Sequence, residues 1–311
     1  MRVRSTLGGG FLALAAWSAL VSASPLGAQQ PWANSPLGPR DQPVFPFFEG
    51  WYDNGDGTYT LSFGFLNRNP DQVIDIPRGE RNYIEPAGFD GPQPTNFIPS
   101  RQRGVFGVTI TEAQRDQDVW WHLVSPEGED MKVPGRIRAS AYQLDNNPRP
   151  HGSLAPLVWF TSENDAARGP EGIWADNALT ARVGAPVTLA VSSRDLSQRD
   201  RSEPRFREPV AVRIVWSKYQ GPAGEVTFAR DPSTPEAPPA PAGRGGRGGA
   251  APGPDEVQLP QGFGTARVVA TFPVAGDYVV RAQADNWDSP DSSSGDQCCW
   301  SNAYVRVRVT P

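Results

Sequence analysis

The chain reads as all-β, with two antiparallel β-sandwich domains behind a cleavable export signal and a Pro/Gly-rich insertion in the second. Three features predict this. Short runs with two-residue alternation recur from Thr58 to Val309, the period of a half-buried strand. Turn formers separate them, with 32 Gly and 33 Pro in the chain. No window of the first domain carries a convincing helical period.

The N-terminus opens on Met1-Arg-Val-Arg, followed by an apolar run from Phe11 to Val21. That run is shorter than the roughly 20 residues a membrane span needs. A small-residue stretch ends at Ala28 before Gln29. The order is that of a secretory signal peptide, residues 1–28, cut after Ala28. No later segment has the apolarity to span a bilayer as a helix. Losing Arg2 and Arg4 leaves 27 basic against 34 acidic residues, a net charge of −7. That balance argues against nucleic acid as a partner, because phosphate binding needs a basic face. The expected compartment is periplasmic, secreted or cell-surface.

Residues 29–43 are Pro-rich and aperiodic, an extended arm. The first domain, 44–143, is anchored by TYTLSFGFLN. There Tyr59, Leu61, Phe63 and Phe65 face one way, and Thr58, Thr60, Ser62 and Gly64 the other. Asp53-Asn54-Gly55-Asp56-Gly57 is a hairpin turn, which puts Trp51 and Tyr52 on the partner strand. Further strands are expected at Val73–Ile76, Val105–Thr111 and Val119–Val124.

The block WYDNGDGTYTLSFGFLNRN is followed by Ile74, Gly79, Asn82, Pro86, Pro94-Thr95, Phe97 and Pro99-Ser100-Arg101. Together these resemble a β module of bacterial surface and secreted proteins with a "DNGDGTYTAHFGYNN" core. The resemblance covers roughly residues 48 to 124 and implies a surface protein without a settled activity.

A polar linker is expected at 144–155, and a second domain at 156–311 starting with a strand at Pro156–Phe160. Val187, Leu189 and Val191 alternate. So do Val210, Val212, Ile214 and Trp216, then Ala266, Val268, Ala270 and Phe272, then Tyr278, Val280, Ala282 and Ala284. In the last strand Val305, Val307 and Val309 point inward, and Tyr304, Arg306 and Arg308 outward. Trp216 on a mid-chain strand and Tyr278 after Ala275-Gly276-Asp277 fit an immunoglobulin-like sandwich with a tyrosine corner. Val280 takes the place of an antibody-type cysteine. VRIVWSKYQGPAGEVTF with ATFPVAGDYVVRAQADN resembles PKD-type and related immunoglobulin-like repeats, over about residues 154–311. That likeness implies adhesion, spacing or ligand binding at a cell surface, and only rarely catalysis. Residues 231–258 are low-complexity and are expected as a disordered loop.

Chemistry-bearing clusters are few. The two cysteines, Cys298 and Cys299, are adjacent. In an oxidising compartment they could bond to each other, bridge to another chain, or stay buried and reduced. Asp285, Asp288, Asp291 and Asp296 form an oxygen-rich loop that could hold calcium, but their spacing fits no defined calcium loop, and no cofactor is otherwise implied. The two histidines are His122, in a strand beside Trp120 and Trp121, and His151, in the linker. No zinc motif, nucleophile elbow or phosphate loop is present. Trp51, Trp120 and Trp121 are candidates for stacking on sugar rings.

The resulting reading is a non-enzymatic surface or secreted module for adhesion, structure or binding, whose partner is a protein or glycan at the cell surface. The alternatives are a carbohydrate-binding protein using exposed Trp and a secreted hydrolase.

Overall fold

The computed structural model describes residues 40–145, 153–202, 209–234, 253–286 and 299–311. The expected signal sequence, most of the expected arm, His151, the core of the low-complexity insertion, and Asp288, Asp291, Asp296 and Cys298 lie outside them. No α-helix occurs among the described residues.

The first sandwich packs two three-stranded antiparallel sheets. One is β1 (Val44–Asp53), β2 (Thr58–Asn67) and β6 (Ser100–Thr111), in that order. The other is β4 (Asn82–Glu85), β7 (Val119–Val124) and β8 (Asp130–Gly135). A two-residue pair, β3 (Ile74–Asp75) with β5 (Asn96–Phe97), closes one end. The hairpin is where the turn residues placed it, with Trp51 opposite Leu61 and Asn54 N–H donating to the Thr58 carbonyl. The core is aromatic: Phe63 stacks on Phe106 at 5.1 Å, and Trp121 meets Phe106 edge-on at 4.9 Å.

The second sandwich sets β9 (Leu157–Trp159), β12 (Pro186–Arg194), β16 (Phe263–Thr271) and β14 (Thr227–Arg230) against a larger sheet. That sheet runs β15 (Glu256–Leu259), β13 (Val212–Gln220), β17 (Gly276–Asp285), β18 (Trp300–Thr310) and β10 (Ile173–Trp174), with β11 (Leu179–Arg182) also on β18. The orders β9-β12-β16-β14 and β13-β17-β18 correspond to A-B-E-D and C-F-G of an immunoglobulin sandwich. Trp216 is buried on the C-position strand, opposite Ala282 of the F-position strand. The Tyr278 hydroxyl donates to the Val274 carbonyl at 3.0 Å, closing the tyrosine corner.

Four expectations need correction. Residues 256–258, the end of the expected disordered loop, belong to β15, with Val257 buried and paired to Ile214. The strand's Glu-Val-Gln-Leu alternation can pack even though the residues before it cannot. Second, the sheet is not wholly antiparallel, because β10 and β11 run parallel to β18. Third, the polar face of β2 is not solvated. Thr60 and Ser62 are buried, and their small side chains let other elements close over them. Fourth, Tyr304 points away from its own core yet is buried, in the core of the first sandwich.

The last two corrections share a cause. The outer face of β13-β17-β18 packs against the first sandwich, so residues 39–311 form one compact unit. The register of β2 against β6 slips between Phe63 and Phe65, where Arg103, Gly104 and Val105 bulge from the ladder. Gly104, at φ +54°, meets that need for a left-handed residue. The bulged carbonyls are taken by side chains of the second sandwich. Gln283 donates to Arg103 and Gly104, both at 2.9 Å. Asn302 donates to Gly104 at 2.8 Å and to Pro170 at 2.8 Å. Arg281 donates to Val105 at 3.0 Å. On the other side of the bulge, the Gly104 N–H donates to the buried Glu49 carboxylate at 2.6 Å.

Candidate binding surface

The outer face of β4-β7-β8 carries an open groove of about 500 Å³ lined by Tyr83, Glu85, Pro86, Asp90, Asp118 and Trp120. Alternation builds it. Asn82 and Ile84 point into the core with Trp121, so Tyr83, Glu85 and Trp120 must face out. Trp120 lies opposite Glu85 on one side and Pro134 on the other. It is half-buried. Lys132 of β8 and Arg136, just past its end, approach its ring to 5.5 and 6.0 Å, within cation–π range.

The three carboxylates differ in what they already hold. Asp90 accepts from the Ile84 N–H at 2.8 Å and from Gln93 at 2.6 Å. Asp118 takes Arg136 at 2.8 Å. Glu85 is exposed, and one oxygen sits 3.4 Å from His122 Nε2. His122 is held from two sides. Its Nδ1 meets Asp130 at 3.0 Å, and its ring stacks on Tyr83 at 4.3 Å and 9°. Its Nε2 is buried without a hydrogen-bond partner.

The groove rests on Asn82. Its side-chain nitrogen donates to the Ile76 and Pro94 carbonyls, and its oxygen accepts from Trp121 Nε1 at 3.1 Å. These bonds tie β4 to the loops on either side and to the central strand.

The three candidate stacking residues separate clearly. Trp120 lines the groove. Trp121 is fully buried. Trp51 is 8% exposed, with its indole N–H donating to the Ala139 carbonyl. Tyr83, Glu85 and Pro86 were not singled out as site residues in the sequence, although the N-Y-I-E alternation at Asn82–Glu85 would have placed Tyr83 and Glu85 outward.

A second cavity, about 340 Å³, lies between the sandwiches and is lined by Tyr52, Asp53, Asn54, Asp145, Arg168 and Cys299, among others. Burial holds the Tyr52 hydroxyl well above the usual phenol range. Desolvation also lowers Arg168. Cys299 is buried and disulfide-bonded, with φ +82°. Of the oxygen-rich loop, Asp285 is buried and receives Arg213 at 3.2 Å. Among the described residues no cluster of three metal-ligating side chains occurs.

No protein-family model matches the chain, and no curated protein matches it. Solved structures align over most of its length at low similarity. The D0-D1 domain of Intimin is 12% identical with a TM-score of 0.23, covering 85% of this chain and 97% of that one. The Yersinia pseudotuberculosis adhesin InvE is 13% identical with a TM-score of 0.24, covering 87% and 60%. Domains 4 and 5 of the S-layer protein SbsC are 9% identical with a TM-score of 0.22, covering 87% and 98%. At TM-scores this low the likeness carries no functional assignment.

Proposed function

We propose that the chain is an exported, non-enzymatic module of the cell surface or periplasm that works as a rigid adhesion, structural or binding element. One observation carries this reading. Two β-sandwiches are joined through side chains that grip a backbone bulge, so the outer groove is held at a fixed orientation to the second sandwich. A body of this kind suits spacing and presentation.

The disulfide at Cys299 fits an oxidising compartment. Within a chain of two cysteines, Cys298 is the partner this reading assigns. The export signal at 1–28, the two-domain division near 144–155, the PKD-like character of the second sandwich and the surface-module character of the first belong to the same proposal.

Labelling intact cells with an antibody or a membrane-impermeant reagent, before and after opening the outer compartment, tests it. Labelling of the chain outside the cytoplasm is the expected result. A cytoplasmic chain that keeps residues 1–28 would overturn it.

A further inference from the structure

We infer that the Trp120 groove binds a neutral oligosaccharide of hexose or N-acetylhexosamine units. This deepens the surface-binding reading and rests on it. The groove combines the two things a sugar ring needs. An ordered aromatic platform covers its apolar C–H face, and nearby acceptors take its hydroxyls. Trp120 supplies the platform, with Lys132 and Arg136 at 5.5 and 6.0 Å from its ring. Glu85 supplies the acceptor. It is exposed at the rim, with its carboxylate 3.4 Å from His122 Nε2. His122 is itself fixed by Asp130 and by the Tyr83 ring, and it leaves the exposed Glu85 carboxylate open to a ligand hydroxyl.

Charge selects the class of sugar. Glu85, Asp90 and Asp118 line the groove; Arg136 offsets Asp118 at 2.8 Å, which leaves Glu85 and Asp90 to repel an anionic glycan. The alternative occupant of an aromatic groove is a proline-rich peptide, which lies between parallel aromatic ridges. Tyr83 cannot supply the second ridge freely, because His122 already covers one face of its ring at 4.3 Å. The groove volume of about 500 Å³ lies within the roughly 300–1,000 Å³ of small-ligand clefts.

Calorimetric titration of the exported chain with chitotetraose, cellotetraose and mannotetraose tests the inference. At least one should bind. Trp120→Ala should weaken that binding by about tenfold or more, the equivalent of about 1.4 kcal/mol. Glu85→Gln should weaken it about threefold, close to 0.6 kcal/mol. Trp159→Ala, on the other sandwich, should leave it unchanged. If Trp120→Ala does not fold, Trp120→Phe serves, and unchanged wild-type affinity in both Trp120→Phe and Glu85→Gln would overturn the inference. So would no binding of any of the three sugars at millimolar concentration, or capture of a proline-rich peptide in their place. A negative result here leaves surface labelling of intact cells untouched, so the two readings fail separately.

Discussion

The Asn302 side-chain amide and the Gly104 carbonyl meet at 2.8 Å, fastening the last strand of the second sandwich to the bulge of the first. Asn302 also donates to Val105 at 3.2 Å and to Pro170 at 2.8 Å. It is fully buried. Asn302→Ala therefore strands carbonyls away from water. Each unsatisfied group costs about 1–3 kcal/mol, and Gln283 and Arg281 still serve some of them. The expected loss is about 2–3 kcal/mol in denaturant unfolding, with the slope against denaturant unchanged.

The tyrosine corner is a smaller and more local fixture. Tyr278→Phe removes one hydroxyl bond to the exposed Val274. Water can reach that end of the pair, so the cost should lie near the net worth of a single hydrogen bond, about 1 kcal/mol. A melting-temperature shift shared by both sandwiches would show that the corner stabilises the whole body.

Glu49 gives the junction a pH dependence of definite sign. Burial raises its carboxyl above the usual 4.5, against the Gly104 N–H, Arg101, Arg103 and Ser62, which lower it. The folded state thus holds its proton more tightly than the unfolded chain does. The stabilisation is full below the unfolded value and is lost as pH rises through the raised folded one. Stability measured at steps from about pH 4 to about pH 7 should carry a falling component in the wild type that Glu49→Gln lacks. Parallel curves for the two would contradict this.

The state of the cysteines is open to direct test. The chain should take up no alkylating reagent without reduction and two equivalents after it, and peptide mapping should find Cys298 bonded to Cys299 in monomeric protein. A disulfide-linked dimer would assign the bond to a second chain instead.

The sequence showed much of the β architecture because alternation is a local property. Val212, Ile214 and Trp216, or Tyr278, Val280 and Ala282, name their core face without reference to anything distant. The sequence was silent on which outer faces are covered. Tyr304 occupies an outward position and reads as solvated, and Arg281 and Asn302 share its face. They are buried because Arg103–Val105 bulge out of β6, and a slip in register leaves no signature in residue type. The groove was half legible. Of adjacent Trp120 and Trp121, alternation says that one faces out, but only the pairing of β4 with β7 says which and sets Glu85 beside it.

Scanning calorimetry reads the fused body most directly. If the bulge locks the two sandwiches together, the wild type should unfold in one transition with equal calorimetric and van't Hoff enthalpies. Two resolved transitions in the wild type, each insensitive to Asn302→Ala, would show two independent domains and contradict the account.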